Sequence, residues 1–119
     1  MATGEQKDLN APDEVRKFEK GHVEVVNIGG GVVGRAVFQP GWRWSQHVKP
    51  IAKTDLCQSN HFGYTISGRA VIKMADGTEY STGPGNVFHV PPGHDAWVLG
   101  DDPWVSVDWS GLGDYAKAK

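Results

Sequence analysis

Five histidines and the single cysteine, Cys57, are side chains of this sequence whose types can hold a metal ion. Imidazole nitrogen and thiolate sulfur both bind first-row divalent metals well. In an extended chain, positions 57, 59, 61, 63 and 65 share one face, with Gln58, Asn60, Phe62 and Tyr64 on the other. If Thr65 points into a core, His61 and Cys57 do too. Three imidazoles with one open position would suit Zn, Fe, Mn, Ni or Cu. Plainer readings stand beside this one. A lone histidine is commonly a hydrogen-bonded core residue and a lone cysteine a small buried hydrophobe. A nucleophilic Cys57 would need a base that the sequence does not identify. His89, just before the Pro91-Pro92-Gly93 turn, reads as structural, and His22 is assigned no role. Arg43 could grip a carboxylate through its fork or simply sit on the surface. Trp42, Trp44 and Trp97 read as core or interface indoles, with ligand walls as the alternative.

The elements that must position these groups are short strands. Val-rich segments at His22 to Ile28 and Val32 to Phe38 flank Gly29-Gly30-Gly31, a hairpin signal. Further strands are predicted over Ser59 to Ser67, Ala70 to Met74, Glu79 to Ser81, Gly85 to Val90, Ala96 to Leu99 and Trp104 to Trp109. Turn sequences such as Ser67-Gly68-Arg69 and Asp76-Gly77 separate them. About eight short, regularly spaced strands predict an all-β, antiparallel sandwich or barrel. Before them, residues 1–20 read as a leader followed by a short helix from Ala11-Pro12-Asp13-Glu14 to Lys20, its apolar side made by Val15 and Phe18. Residues 111–119 read as a tail that Tyr115 could anchor on the barrel or on a partner.

Composition narrows the classes of function. A chain of 119 residues fits one domain with a real core, and 16 Gly with 7 Pro favour turns over long helices. The formal charge of −2 and scattered basic residues offer no row of cations for nucleic acid. No apolar run is long enough for a membrane span or a signal peptide, and one cysteine rules out an intrachain disulfide. A soluble, cytoplasmic protein is expected.

Two segments carry a family resemblance. Gly85, Pro91 and Gly93, within Gly83-Pro84-Gly85-Asn86-Val87-Phe88-His89-Val90-Pro91-Pro92-Gly93-His94, are similar to the second cupin motif. Tyr64-Thr65-Ile66-Ser67-Gly68 resembles the end of the first. The resemblance spans about Val32 to Trp109 and implies a cupin-like β-barrel or jelly roll over residues 21–110. It also implies a divalent transition metal and a small-molecule ligand or substrate inside the barrel. The ligand positions are substituted: His61 falls where the family has a glutamate, and Cys57 and Asp55 fall where it has two histidines. His94 stands two residues before the place of the last histidine, which Ala96 occupies, and on the same strand face. His47 could supply the missing imidazole. The resemblance implies a metal-dependent enzyme acting on a small molecule. A non-catalytic ligand or metal sensor, or a structural barrel without metal, remains the alternative. Paired barrels are a family habit, and apolar residues on both faces of Phe62-Tyr64-Ile66 lead to the expectation of a homodimer.

Overall fold

The computed structural model describes residues 3–110, 112–113 and 115–116. Among the described residues nine strands form two antiparallel sheets. They are β1 (Glu14–Phe18), β2 (Gly21–Ile28), β3 (Gly31–Phe38), β4 (His61–Ser67), β5 (Ala70–Met74), β6 (Glu79–Thr82), β7 (Val87–Val90), β8 (His94–Val98) and β9 (Trp104–Asp108). One sheet runs β1-β2-β3-β9-β4-β7 and the other β6-β5-β8. The expected strands lie where turn residues and alternation placed them. Gly29 and Gly30 take positive φ in the β2–β3 turn, as Gly77 does between β5 and β6.

Alternation sorts each strand into an inner and an outer side. Thr65 is fully buried and shares a hydroxyl hydrogen bond of 2.8 Å with Thr82, so the inner side of β4 also carries His61 and Gly63. Phe38, Trp42, Trp104 and Phe88 form one aromatic run through the core, with Phe38 stacked on Trp104 at 5.0 Å and tilted against Trp42 at 4.1 Å. Such contacts add about 0.5–1.5 kcal/mol per pair beyond the area they bury. The outer side of β4 leaves Phe62, Tyr64 and Ile66 exposed, and Val87 and Trp109 join them.

Two local expectations are corrected. The short helix predicted within residues 11–20 is strand β1, paired with β2 from Glu14 opposite Val25 to Phe18 opposite Gly21. A helix there would bury only Val15 and Phe18, whereas a strand gains ladder hydrogen bonds and turns Arg16 inward. Arg16 then donates to three backbone carbonyls, those of Leu112, Gly113 and Tyr115. The helical turns lie instead at α1 (Trp44–His47) and α2 (Lys49–Ala52), in the stretch expected to be irregular. Pro50 suits the first turn of α2, where an N–H has no intrahelical acceptor, and Lys53 ends it in the left-handed region at φ 60°. No helix among the described residues is long and apolar enough to cross a membrane.

Candidate metal centre

The inner faces of the two sheets bring together Cys57, His61 and His94, whose donor atoms all lie within 4.8 Å of one another. His61 opens β4 in the larger sheet and His94 opens β8 in the smaller. Cys57 is tied to His94 by an isolated backbone bridge, its N–H donating to the His94 carbonyl at 2.8 Å. The same bridge lets the Gly93 N–H donate to the Cys57 carbonyl at 2.7 Å, so the turn before β8 sets the height of both side chains.

Each histidine is oriented through its Nδ1. His61 Nδ1–H donates to Asp108 Oδ2 at 2.5 Å, and His94 Nδ1–H donates to the Pro91 carbonyl at 2.8 Å. A carbonyl or an ionised carboxylate only accepts, so the proton sits on Nδ1 and the Nε2 atoms are left to bind elsewhere. His61 Nε2 lies 3.8 Å from Cys57 Sγ. A tetrahedral metal with sulfur at about 2.3 Å and nitrogen at about 2.0–2.1 Å holds those two atoms about 3.6 Å apart, so the residues present fit the ion.

Asp108 was not singled out in the sequence, although a signal for it exists. Trp104, Ser106 and Asp108 are the buried alternate residues of β9, and a carboxylate on that inward row must have a partner. The Asp108 Oδ1 atom accepts from the Ser110 N–H at 2.9 Å.

The site is strongly polarised. Burial alone would raise the Cys57 thiol, but hydrogen bonds to His61 and His94 outweigh it and bring the pKa down to about 6. Burial alone would lower His61, but the hydrogen bonds to Asp108 and Cys57 raise it to about 9. Without a metal, the neutral-pH state is therefore a thiolate–imidazolium pair backed by a carboxylate. Tyr115 packs its ring edge on His61 at 5.5 Å, and burial together with the negative charge of Cys57 and Asp108 keeps its phenol protonated.

Beside the histidines lies a cavity of about 40 Å³ walled by aromatic and aliphatic side chains, among them Phe38, Trp42, Trp44 and Trp104. It has room for about three waters.

Neither a family model nor a curated protein sequence matches the chain. Solved structures do. A DUF1255 protein of unknown function from Acinetobacter sp. ADP1 superimposes with a TM-score of 0.60 at 16% identity, over 82% of this chain and 90% of its own. Oxalate decarboxylase from Bacillus subtilis gives 0.61 at 22% identity, over 87% of this chain and 29% of its own. The capsular polysaccharide assembling protein CapF from Staphylococcus aureus gives 0.59 at 21%, over 82% and 30%. The fold is cupin-like. The chain spans less than a third of the length of those last two proteins.

Within this cupin-like fold His47, Asp55, Arg43 and His89 lie apart from the cluster, whereas Trp42, Trp44 and Tyr115 wall the cavity beside it. His47, expected as a third imidazole, instead closes its own helical turn: its Nδ1 accepts from the Arg43 N–H at 3.0 Å, and its Nε2 faces Glu19 at 3.9 Å. The helical conformation of α1 turns it away, where an extended chain would not have. Asp55 is fully exposed beside Lys49. Arg43 stacks over Trp97 at 4.2 Å and pairs with Asp95 at 3.5 Å, and exposed His89 meets Asn60 Oδ1.

Proposed function

We propose that this chain is a metal-dependent enzyme of the cupin type, with Cys57, His61 and His94 as the ligands and a small molecule as substrate in the adjoining cavity. One observation carries this reading: both histidines have Nδ1 held by an oxygen acceptor while their remaining nitrogens converge with a thiolate. Metal-ligating histidines are usually fixed in this way, and the carboxylate behind His61 raises its basicity. Thiolate and imidazole together suit Zn or Cu better than the oxygen-preferring ions. A metal so held would polarise a bound oxygen or lower the pKa of a bound water. The chain's own contribution is orientation and dryness. Asp108 fixes the His61 ring, and Phe38, Trp42, Trp44 and Trp104 keep bulk water from the cavity. The single free thiol fits a reducing compartment, the cytoplasm.

Elemental analysis of protein purified without a histidine tag tests the reading: about one equivalent of zinc or copper per chain is expected, and a trace amount that chelator-treated protein does not take back up would sink it. A non-catalytic binder is the second reading, favoured by a cavity of only about 40 Å³. It would show saturable binding of a small molecule without product.

We also propose a homodimer formed through the outer side of β4, β7 and β9. Tyr64 stands opposite Val87 on one neighbour and Val107 on the other, and Phe62 packs on Trp109 at 5.8 Å, giving an apolar row across three strands. Exposed apolar surface of this kind marks an interface. Sedimentation should show a dimer at micromolar concentration that Tyr64→Glu converts to monomer. A monomeric parent protein would rule the dimer out.

A further inference from the structure

We propose that Leu112 and Tyr115, beyond β9, form a plug that sets the size of molecule able to reach the two histidines, and that Arg16 is its latch. Leu112 and Tyr115 are both buried, and both wall the cavity that His61 and His94 share. Their backbone is clamped by a residue almost a hundred positions earlier. Arg16, itself only 8% exposed, donates from Nη1 to the carbonyls of Leu112 at 2.8 Å and Tyr115 at 2.7 Å, and from Nη2 to that of Gly113 at 2.8 Å. Glu14 fixes the guanidinium from its other side, accepting from Nε at 2.7 Å and Nη2 at 2.9 Å. Hydrogen bonds from an ionised donor are the strong class, and three on one short segment form a clamp.

The barrel wall is cut to receive this segment. Gly34 on β3 leaves the space that the Leu112 side chain occupies: a Cβ at position 34 would lie 2.4 Å from Leu112 Cδ1 and 3.1 Å from its Cβ. The Tyr115 ring meets Phe18, Phe38 and His61 edge-on at 6.3, 6.5 and 5.5 Å. With the plug seated, the cavity holds about 40 Å³, enough for a molecule of a few heavy atoms. A larger substrate would have to displace Leu112 and Tyr115, and so break the clamp.

Diethyl pyrocarbonate, a reagent larger than the cavity, tests this in the full-length, metal-free protein, with carbethoxylation of His94 followed by mass spectrometry; the reagent attacks neutral imidazole, so protonated His61 is not the reporter. Exposed His89 reports reagent strength in the same sample. Arg16→Gln removes the clamp and Leu112→Ala shortens the plug; both side chains are buried, so circular dichroism and urea unfolding first establish that each variant is folded. Each is expected to speed modification of His94 by about tenfold or more, the factor that 1.4 kcal/mol of lost closure gives. Val25→Ala, a core truncation elsewhere on β2, should leave the rates at the parent value and so controls for general loosening. Unchanged rates in Leu112→Ala would overturn the proposal, as would equal acceleration in Val25→Ala. Adding zinc separates this question from the metal reading: the ion shields His94 in every variant if that reading holds, whereas the differences among metal-free variants report the plug alone.

Discussion

Replacing His61 or His94 with alanine is expected to lower metal affinity by at least about 100-fold, while His22→Ala and His47→Ala leave it unchanged. The first two remove donors from a three-ligand set, a larger loss than the 10–100-fold that follows removal of an outer hydrogen-bond partner. Asp108→Asn falls in that lower range, because it frees the His61 ring without deleting a donor. Cys57→Ser tests the thiolate itself, and a small effect would return Cys57 to the role of packing. Isothermal titration with zinc, on chains checked for folding by circular dichroism, reads all of these. Full metal content in a His61→Ala, His94→Ala double variant would eliminate the centre.

The pH dependence carries a second signature. An ordinary imidazole site gains affinity as pH rises through about 6.5 and then levels off. Here His61 stays protonated until about 9, so metal must expel one proton from it across the neutral range. Below about 6 the Cys57 thiol also carries a proton, which binding must expel as well. Affinity should therefore keep rising with pH to about 9, with a steeper slope below about 6. Levelling off near 6.5 would show that His61 is not held in this way.

The contrast between His61 and His47 shows where the sequence was legible. Alternation back from Thr65 needs only the two-residue period of a strand, and it put His61 on the side of Thr65, which is the buried one. His94 followed from a displacement of two residues, which preserves its side. His47 depended on the conformation of Trp42 to Pro50, and two four-residue helical turns leave too short a pattern to read. Strand β1 was obscured for a different reason. Its inward residue is Arg16, whose partners are carbonyls of Leu112, Gly113 and Tyr115, and no local period announces a contact that distant. Asp108 remained unread because its meaning lies in the β4–β9 register, which sets it opposite Gly63 and diagonal to His61.

That register hangs on the turn after β4, and Gly68→Ala is expected to be among the most damaging single substitutions in the chain. Two costs combine there. Gly68 has φ of +76°, where an L side chain costs roughly 1–2 kcal/mol. A Cβ would also lie 2.0 Å from the Pro103 carbonyl oxygen and 2.7 Å from Trp104 Cα, and no rotamer change moves backbone atoms away. Gly77 provides the control: its φ is +91°, and a Cβ there meets nothing within 4 Å, so Gly77→Ala shows the conformational cost alone. Gly77→Ala should lose about 1 kcal/mol, and Gly68→Ala about 3–5 kcal/mol, in the far tail for point substitutions. By urea unfolding, that loss is a large share of the 5–15 kcal/mol typical of a domain. Because the displaced segment leads into β9, Gly68→Ala should also draw Asp108 away from His61 and weaken metal binding at low denaturant, which Gly77→Ala should not. Equal destabilisation by the two substitutions would mean that the Gly68 turn yields freely and does not fix the register on which the centre depends.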